Sequence, residues 1–445
     1  MIRQAVLSNG IRIVVESVQE VRKAALRFAF NVGSQNDPRE LSGLAHFTEH
    51  ALFLGTQTYT DKEIQNIERQ SGATFNAETN QDNIYLFTDV LPEDVSVALQ
   101  VFSDMIQHPV FSEKLIQQEK NIILTELKEV QDDIEMFADN LIYNAAFKRT
   151  PLGLPTEGTV KTVRAITRAD IIRFHQEYFR PENLVISVAG NVEAEKFIQE
   201  CRTLFKDFHN DIPEPALVPS KYLGGDRREE AETEINTFRM GFESVPLKDF
   251  RQFVIAEVYA SVMEDRLLNA LRMDKGLLYE IHADNFMYRQ ASLFCISWSC
   301  ESEKNADIMQ EICRTVSQST TNITEAELET VKKRIKLDFG ANDGTLSEKA
   351  ESNQFDIHSF GQIKNINNLY EILESITSDD IAQIACRITS SRLSFAGVGN
   401  IRKMPSYEQI NKWLQKSKEK RENDLSKQKE GQIVMKILDK NQHIK

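Results

Sequence analysis

The sequence predicts an α+β chain made of two homologous halves. Three observations carry this reading. Strands are followed by runs of helix without strict βαβ alternation, which argues against a doubly wound parallel sheet. Ala165-Ile-Thr-Arg-Ala-Asp-Ile171 recurs about 210 residues later as Ser375-Ile-Thr-Ser-Asp-Asp-Ile381, and Leu184–Asn191 (LVISVAGN) recurs as Leu393–Asn400 (LSFAGVGN). Between the copies, Lys206 to Glu230 holds Pro213, Pro215, Pro219 and Gly224-Gly225, then a charged run, the composition of an exposed linker. A length of 445 residues fits two to four domains of roughly 100–200 residues. The expected divisions are a first half over 1–210, a linker over 211–232, a second half over 233–415 and a charged tail over 416–445.

Taken in order, Gly10–Glu16 (GIRIVVE) and Ala24–Val32 (AALRFAFNV) read as strands from their β-branched and aromatic content. Leu44–Leu54, Asp61–Gln70, Pro92–Ile106 and Glu113–Phe147 read as helices, with Gln131-Asp132-Asp133 a break in the last. In each repeat copy a threonine (Thr167, Thr377) is placed to cap a helix, and an aspartate (Asp170, Asp380) falls in its first turn. An apolar strand ending in Gly-Asn follows each helix. From Lys416 to Glu430, ten of fifteen residues are charged with both signs mixed, a solvated helix or a disordered tail without chemistry of its own.

Composition excludes several classes of function. Apolar residues make up 41% and charged residues 27%, enough for a sizeable core, and the formal net charge is −14. An acidic chain repels phosphate backbones, which argues against nucleic-acid binding, and attracts Lys/Arg-rich peptides. No apolar run approaches the roughly 18–20 residues of a membrane span. The opening MIRQAVLSNG lacks a signal-peptide pattern, so a cytoplasmic location is expected. Five cysteines without a CxxC pair read as buried, reduced thiols and exclude a disulfide scaffold. Cys295 and Cys300, five apart on a strand, face opposite sides of it.

Chemistry concentrates in residues 43–54, Gly-Leu-Ala-His-Phe-Thr-Glu-His-Ala-Leu-Phe-Leu. On a helix His46 and His50 are one turn apart on one face and can share a Zn²⁺. Glu49, three residues after His46, lies near that face, where it can hold a water and take its proton. With 8 histidines in the chain, such a pattern arises by chance on the order of 0.01 times, against the alternative of two packed histidines. Glu119 and Glu126 stand two turns apart on one face of the long helix. One can complete a zinc shell while the other orients a histidine, and without the histidines both would read as a solvated face.

HxxEH, the inverse of HExxH, marks the inverzincins, and the sequence resembles the pitrilysin, insulin-degrading enzyme and mitochondrial processing peptidase superfamily over nearly its whole length. In that family the third ligand follows the second histidine by about 76 residues, the separation of His50 and Glu126. Leu7–Gly10, Gly33-Ser34, Phe75-Asn76-Ala77, Pro151–Gly153 and Asn183–Asn191 also match, and the overall match is to the short members of about 50 kDa. The resemblance implies two halves, each a mostly antiparallel sheet packed with helices, and one Zn²⁺ per chain held by His46, His50 and Glu126. It further implies Glu49 as general base and Glu119 as the accessory glutamate. Phe75, Asn76 and Ala77 would lie on the edge strand that pairs with substrate, and Arg272 and Tyr279 would reach the peptide near the scissile bond. Glu135 and Asp139 match, with one residue deleted, the acidic pair that receives a substrate arginine. The glycine-rich turn of the family is replaced by Ala260–Asp265.

The implied activity is a zinc endopeptidase that cleaves peptides or unfolded targeting-type segments, basic ones included, inside a chamber. Short members build that chamber from two chains, so a homodimer is expected, with a heterodimer containing a silent homologue as the variant. The alternative is a non-catalytic structural subunit of the same fold, but such subunits typically lose ligands or base, and all four residues are present. The second half lacks HxxEH, its corresponding stretch being Phe253–Ala260.

Overall fold

The computed structural model describes residues 1–247, 249–278, 280–340, 344–401 and 404–415, so the charged tail 416–445 and Tyr279 lie outside the described residues. Eleven strands occur among these residues: β1 (Ile2–Val6), β2 (Arg12–Ser17), β3 (Ala24–Phe30), β4 (Asn76–Thr79), β5 (Ile84–Val90), β6 (Leu184–Gly190), β7 (Gly225–Glu230), β8 (Ile235–Glu243), β9 (Ile281–Met287), β10 (Ser292–Glu301) and β11 (Ser394–Gly399). They form two sheets of order β1-β2-β6-β3-β5-β4 and β7-β11-β8-β10-β9. Without β1 the two orders are the same. The directions also agree: β2/β6 and β7/β11 are the parallel pairs, and every other pair is antiparallel. The repeat seen in sequence is therefore a repeat of topology.

Local signals explain the repeated helix. Thr167 and Thr377 accept from the backbone N–H of Asp170 and Asp380, completing a capping box in each copy, with φ −111° and ψ 163° at both caps. Gly225–Glu230, inside the stretch expected to be linker, pairs as β7 along β11. β7 lies at the sheet edge, where its charged residues 226–230 disfavour pairing with a further strand.

The predicted helix over 113–147 is two helices, Glu113–Asp132 and Ile134–Ala146. Asp133 divides them: it leaves the helical region (φ −83°, ψ 106°) and its carboxylate accepts from the N–H groups of Glu135 and Met136, so it caps the second helix. The break changes which half that helix serves. Ile134–Ala146 leaves the first half and packs on β11, β8 and β7. There Ile142, Ala146 and Phe147 join Leu293, Cys295 and Ala396 in a buried cluster. Reciprocally, Leu346–Phe360 of the second half packs on β6, β3 and β2. The halves thus exchange one helix each, and neither sheet is covered by its own half alone.

Four of the five cysteines are buried and Cys386 is exposed. No helix among the described residues is long and apolar enough to cross a membrane.

Candidate metal centre

The helix Leu44–Leu52 begins at Gly43, whose φ of +94° is the left-handed region. A Cβ there would lie 2.6 Å from the Glu157 carbonyl oxygen, so this start requires glycine twice over. Asp37 satisfies the free end, accepting from Gly43 N at 2.7 Å and Ala45 N at 2.8 Å. Burial pushes the Asp37 carboxyl up to about 8, against the pull of those backbone bonds. Leu44, Phe47, Ala51 and Leu52 are buried in the first core and fix the rotation of the helix. The remaining face presents His46, Glu49 and His50 towards β4 and the Glu113–Asp132 helix.

There the three expected ligands meet. The Nε2 atoms of His46 and His50 are 3.2 Å apart, and His50 Nε2 is 3.7 Å from Glu126 Oε2. One ligand atom from each of the three residues fits within a 4.8 Å group. Two nitrogens bound at about 2.0–2.1 Å to one tetrahedral zinc stand about 3.3 Å apart, so the spacing fits a shared ion. Glu119 Oε1 lies 2.8 Å from His50 Nδ1. A proton held on Nδ1 by that carboxylate leaves Nε2 with its lone pair towards the centre.

The charge pattern agrees. Burial, with His50 second, holds His46 down to about 3, so its imidazole is neutral and able to ligate. Burial also disfavours charge on His50, but the Glu119 bond and the charges of Glu49, Glu126 and Glu119 outweigh it and raise its pKa. Several carboxylates around two ring nitrogens that point at one spot form a donor set suited to a divalent cation. Glu49, 7% exposed, accepts from Thr79 Oγ1 at 2.9 Å through Oε2. Burial pushes its carboxyl up to about 7, opposed by His50 and Thr79.

The other expected site residues divide. Asn76 and Ala77 open β4, which pairs with β5 on one side and forms the sheet edge on the other. Phe75 immediately precedes that strand. Its ring is buried against Phe102 and its N–H is bound to Glu68 Oε1 at 2.7 Å, because the chain reaches the edge only one residue later. Arg272 is exposed in the π-helical turn Asn269–Met273 of the second half. Glu135 and Asp139 do receive an arginine, but it is the chain's own. Arg239 Nη2 lies 2.7 Å from Glu135 Oε2, and Nε lies 2.6 Å from Asp139 Oδ1. Thr237 and Ser299 add hydrogen bonds to Glu135 at 2.6 Å each.

That contact has a twin. Arg27 on β3 donates to Glu351 at 3.1 Å and to Gln354 at 3.2 Å, both on the helix exchanged in the other direction. Arg27 lies opposite Ser187, and Arg239 opposite Ala396, at matching places in the repeated strands β6 and β11. A contact made in both halves, one of which has no HxxEH, clamps the exchanged helices, so the carboxylates of Glu135 and Asp139 expected to meet a substrate arginine are engaged by Arg239 and remain half exposed. Asp37 and Thr79 escaped the sequence reading altogether. Neither belongs to a spacing pattern, and only folding brings them to the helix.

Two family models match the chain: Insulinase (Peptidase family M16) over residues 12–160, and Peptidase M16 inactive domain over residues 165–335. An uncharacterised zinc protease of Rickettsia felis is 28% identical over 397 residues, 88% of this chain and 96% of that protein. The uncharacterised zinc protease YmxG of Bacillus subtilis is 26% identical over 91% of this chain and all of its own length. A probable mitochondrial-processing peptidase subunit beta of Arabidopsis thaliana is 23% identical, covering 91% of this chain and 80% of that protein. The crystal structure of a peptidase M16 inactive domain from Pseudomonas fluorescens superposes with a TM-score of 0.81 at 15% identity, over 91% of this chain and all of that one, which is a likeness of fold.

Proposed function

The chain belongs to the insulinase family, peptidase family M16, and on that premise we propose that it is a zinc-dependent endopeptidase acting on extended peptides or unfolded targeting-type segments. One observation carries the reading: His46, His50 and Glu126 converge on a single point with Glu49 beside them. His46, His50 and Glu126 would hold the ion and Glu119 would fix the tautomer of His50. Zinc held there would supply Lewis-acid chemistry, polarising the scissile carbonyl and making the attacking water more acidic.

The protein's own part follows from its geometry. Thr79 holds Glu49 Oε2, so Oε1 is the oxygen that takes a proton from the attacking water. Glu49 then gives that proton to the departing amine nitrogen, and the C–N bond breaks as the new C–O bond is kept. Burial favours the protonated carboxyl, which suits a group that must both accept and return a proton. The open edge of β4 at Asn76 and Ala77 offers backbone groups to an extended peptide. Arg272 and Tyr279 would stabilise charge on the carbonyl oxygen, the role that the family resemblance gives them. Pairing two chains would close the chamber around this face, and a net charge of −14 favours basic peptides.

The test is cleavage of a basic peptide panel by wild type and Glu49→Gln at matched zinc content. Loss of cleavage in the variant with zinc retained is the expected result. A wild type that binds zinc and cleaves no peptide, with or without a homologous partner chain, would overturn the reading in favour of a structural subunit.

A further inference from the structure

The second half has no HxxEH, yet one of its side chains reaches the hairpin that bears Thr79. Arg289 sits in the tight turn between β9 and β10, closed by Tyr288 N to Ala291 O at 3.0 Å. Its backbone N–H donates to Asp82 Oδ2 at 2.9 Å and its Nε to Asp82 Oδ1 at 3.1 Å. Its Nη1 donates to the Asn31 carbonyl at 2.9 Å. Asp82 belongs to the turn between β4 and β5 and is 8% exposed. Inside that turn Asn80 Oδ1 accepts from Asp82 N at 2.9 Å and Asn83 N at 2.7 Å.

The turn is tied in two directions. Along the chain, Asn80 adjoins Thr79, which donates to Glu49. Across the fold, Ser34 N and Gln35 N donate to the Asn80 and Gln81 carbonyls at 3.0 Å each, and Gln35 Nε2 donates to Asp82. That segment runs on to Asp37, the residue that caps the HxxEH helix. Both routes begin at Asp82, and both end on the helix of Glu49.

We propose that Arg289 is a positioning residue for Glu49, through which the second half sets the base by way of the 80–83 turn and Thr79. This rests on the proposed peptidase reading for its catalytic consequence, but the mechanical link stands without it. A planar guanidinium fixed by one carboxylate and a carbonyl holds the turn in one orientation, which a single flexible contact would not. Displacement of a catalytic group by about 1 Å costs up to about a hundredfold in rate, so a device of this kind has room to matter.

The experiment compares Arg289→Met, Thr79→Val and their double variant at matched zinc content, with Arg239→Met as a control that also breaks a contact between the halves. Each single variant is expected to lower kcat about tenfold with KM changed less than twofold, and the double variant to be no worse than about twofold below the poorer single. Arg239→Met is expected to lose stability but keep kcat. Full kcat in Arg289→Met, or losses that multiply to about a hundredfold in the double variant, would overturn the proposal. Should Arg289→Met unfold, Asp82→Asn with Arg289→Met removes the stranded charge and is read the same way. Hydrogen exchange gives an arm independent of cleavage: amides at 79–83 should exchange at least about tenfold faster in Arg289→Met while those of β8 stay unchanged. Unchanged exchange at 79–83 sinks the link even if the wild type proves inactive, and an inactive wild type with faster exchange sinks only the peptidase reading.

Discussion

Arg239, 5% exposed, donates to Asp139 at 2.6 Å across the junction of the two halves, and the carboxylate it holds is half exposed. The asymmetry of burial decides which partner matters more. Removing the acids strands a buried guanidinium, whereas removing the arginine leaves acids that water can reach.

Glu135→Gln with Asp139→Asn is therefore expected to cost about 3–5 kcal/mol, and Arg239→Met about 1–3 kcal/mol. The triple variant should recover much of the loss. Denaturant unfolding of all three decides it. Undiminished stability in the acid double variant, joined to a selective loss of cleavage of arginine-containing peptides, would return the pair to substrate recognition.

Zinc affinity should separate the shell from its support. His50→Ala and Glu126→Ala are expected to abolish stoichiometric binding, while Glu119→Gln lowers affinity about 10–100-fold by weakening the hold on His50 Nδ1. Competition with a chromogenic chelator measures this. Full retention in Glu126→Ala would remove that residue from the shell.

Gly43→Ala and Gly72→Ala make a matched pair. Both glycines have positive φ, +94° and +66°, but a Cβ at Gly72 meets nothing within 4 Å and one at Gly43 meets backbone at 2.6 Å. The Gly72 change is expected to cost about 1–2 kcal/mol, the left-handed penalty alone. The Gly43 change should cost clearly more and weaken zinc binding with it, because the helix start must shift. Thermal unfolding and zinc titration of the two variants provide the check, and equal costs would refute the close-packing account.

Two buried histidines each contribute stability that acid removes. His175, whose Nε2 lies 2.9 Å from the Ile106 carbonyl oxygen, is held down to about 4 by burial, and His358 to about 3 by burial and the nearby Arg12. Both fall below the unfolded value of about 6.5, so the folded state prefers the neutral ring. Their contribution is complete above about pH 6.5 and falls towards pH 3–4 by up to about 1.4 kcal/mol per pH unit for each ring. The raised carboxyls of Asp37 and Glu49 titrate with the opposite sign over the same range, so the histidine contribution is read as a difference between proteins. Chemical denaturation at pH 7 and pH 5 should show His358→Gln losing less stability on acidification than the wild type, and an identical pH dependence in the two would contradict the assignment.

The exchange of helices predicts that neither half is stable alone. Expressed separately, 1–220 and 221–415 should aggregate, each exposing the sheet face that the other covers, and co-expressed they should assemble with full zinc content. Two soluble, cooperatively folding fragments would disprove the interlock.

The sequence by itself determined whatever is written in short-range spacing. Periodicity set His46, Glu49 and His50 on one helix face, and the capping chemistry of Thr167 and Thr377 with the following apolar strands revealed the duplication. The distance from His50 to Glu126 singled out the third ligand through family resemblance, and the structure brings the three together. What only the tertiary structure decided are the contacts between residues far apart in the chain. Asp133 looked like a pause in one helix, but its cap redirects Ile134–Ala146 onto the other half, and there Glu135 and Asp139 meet Arg239. Asp37, Thr79 and Arg289 carry no periodic signal, since a hydrogen bond needs only one donor and one acceptor within reach. Which acceptor lies within reach is settled by how the sheets and exchanged helices pack.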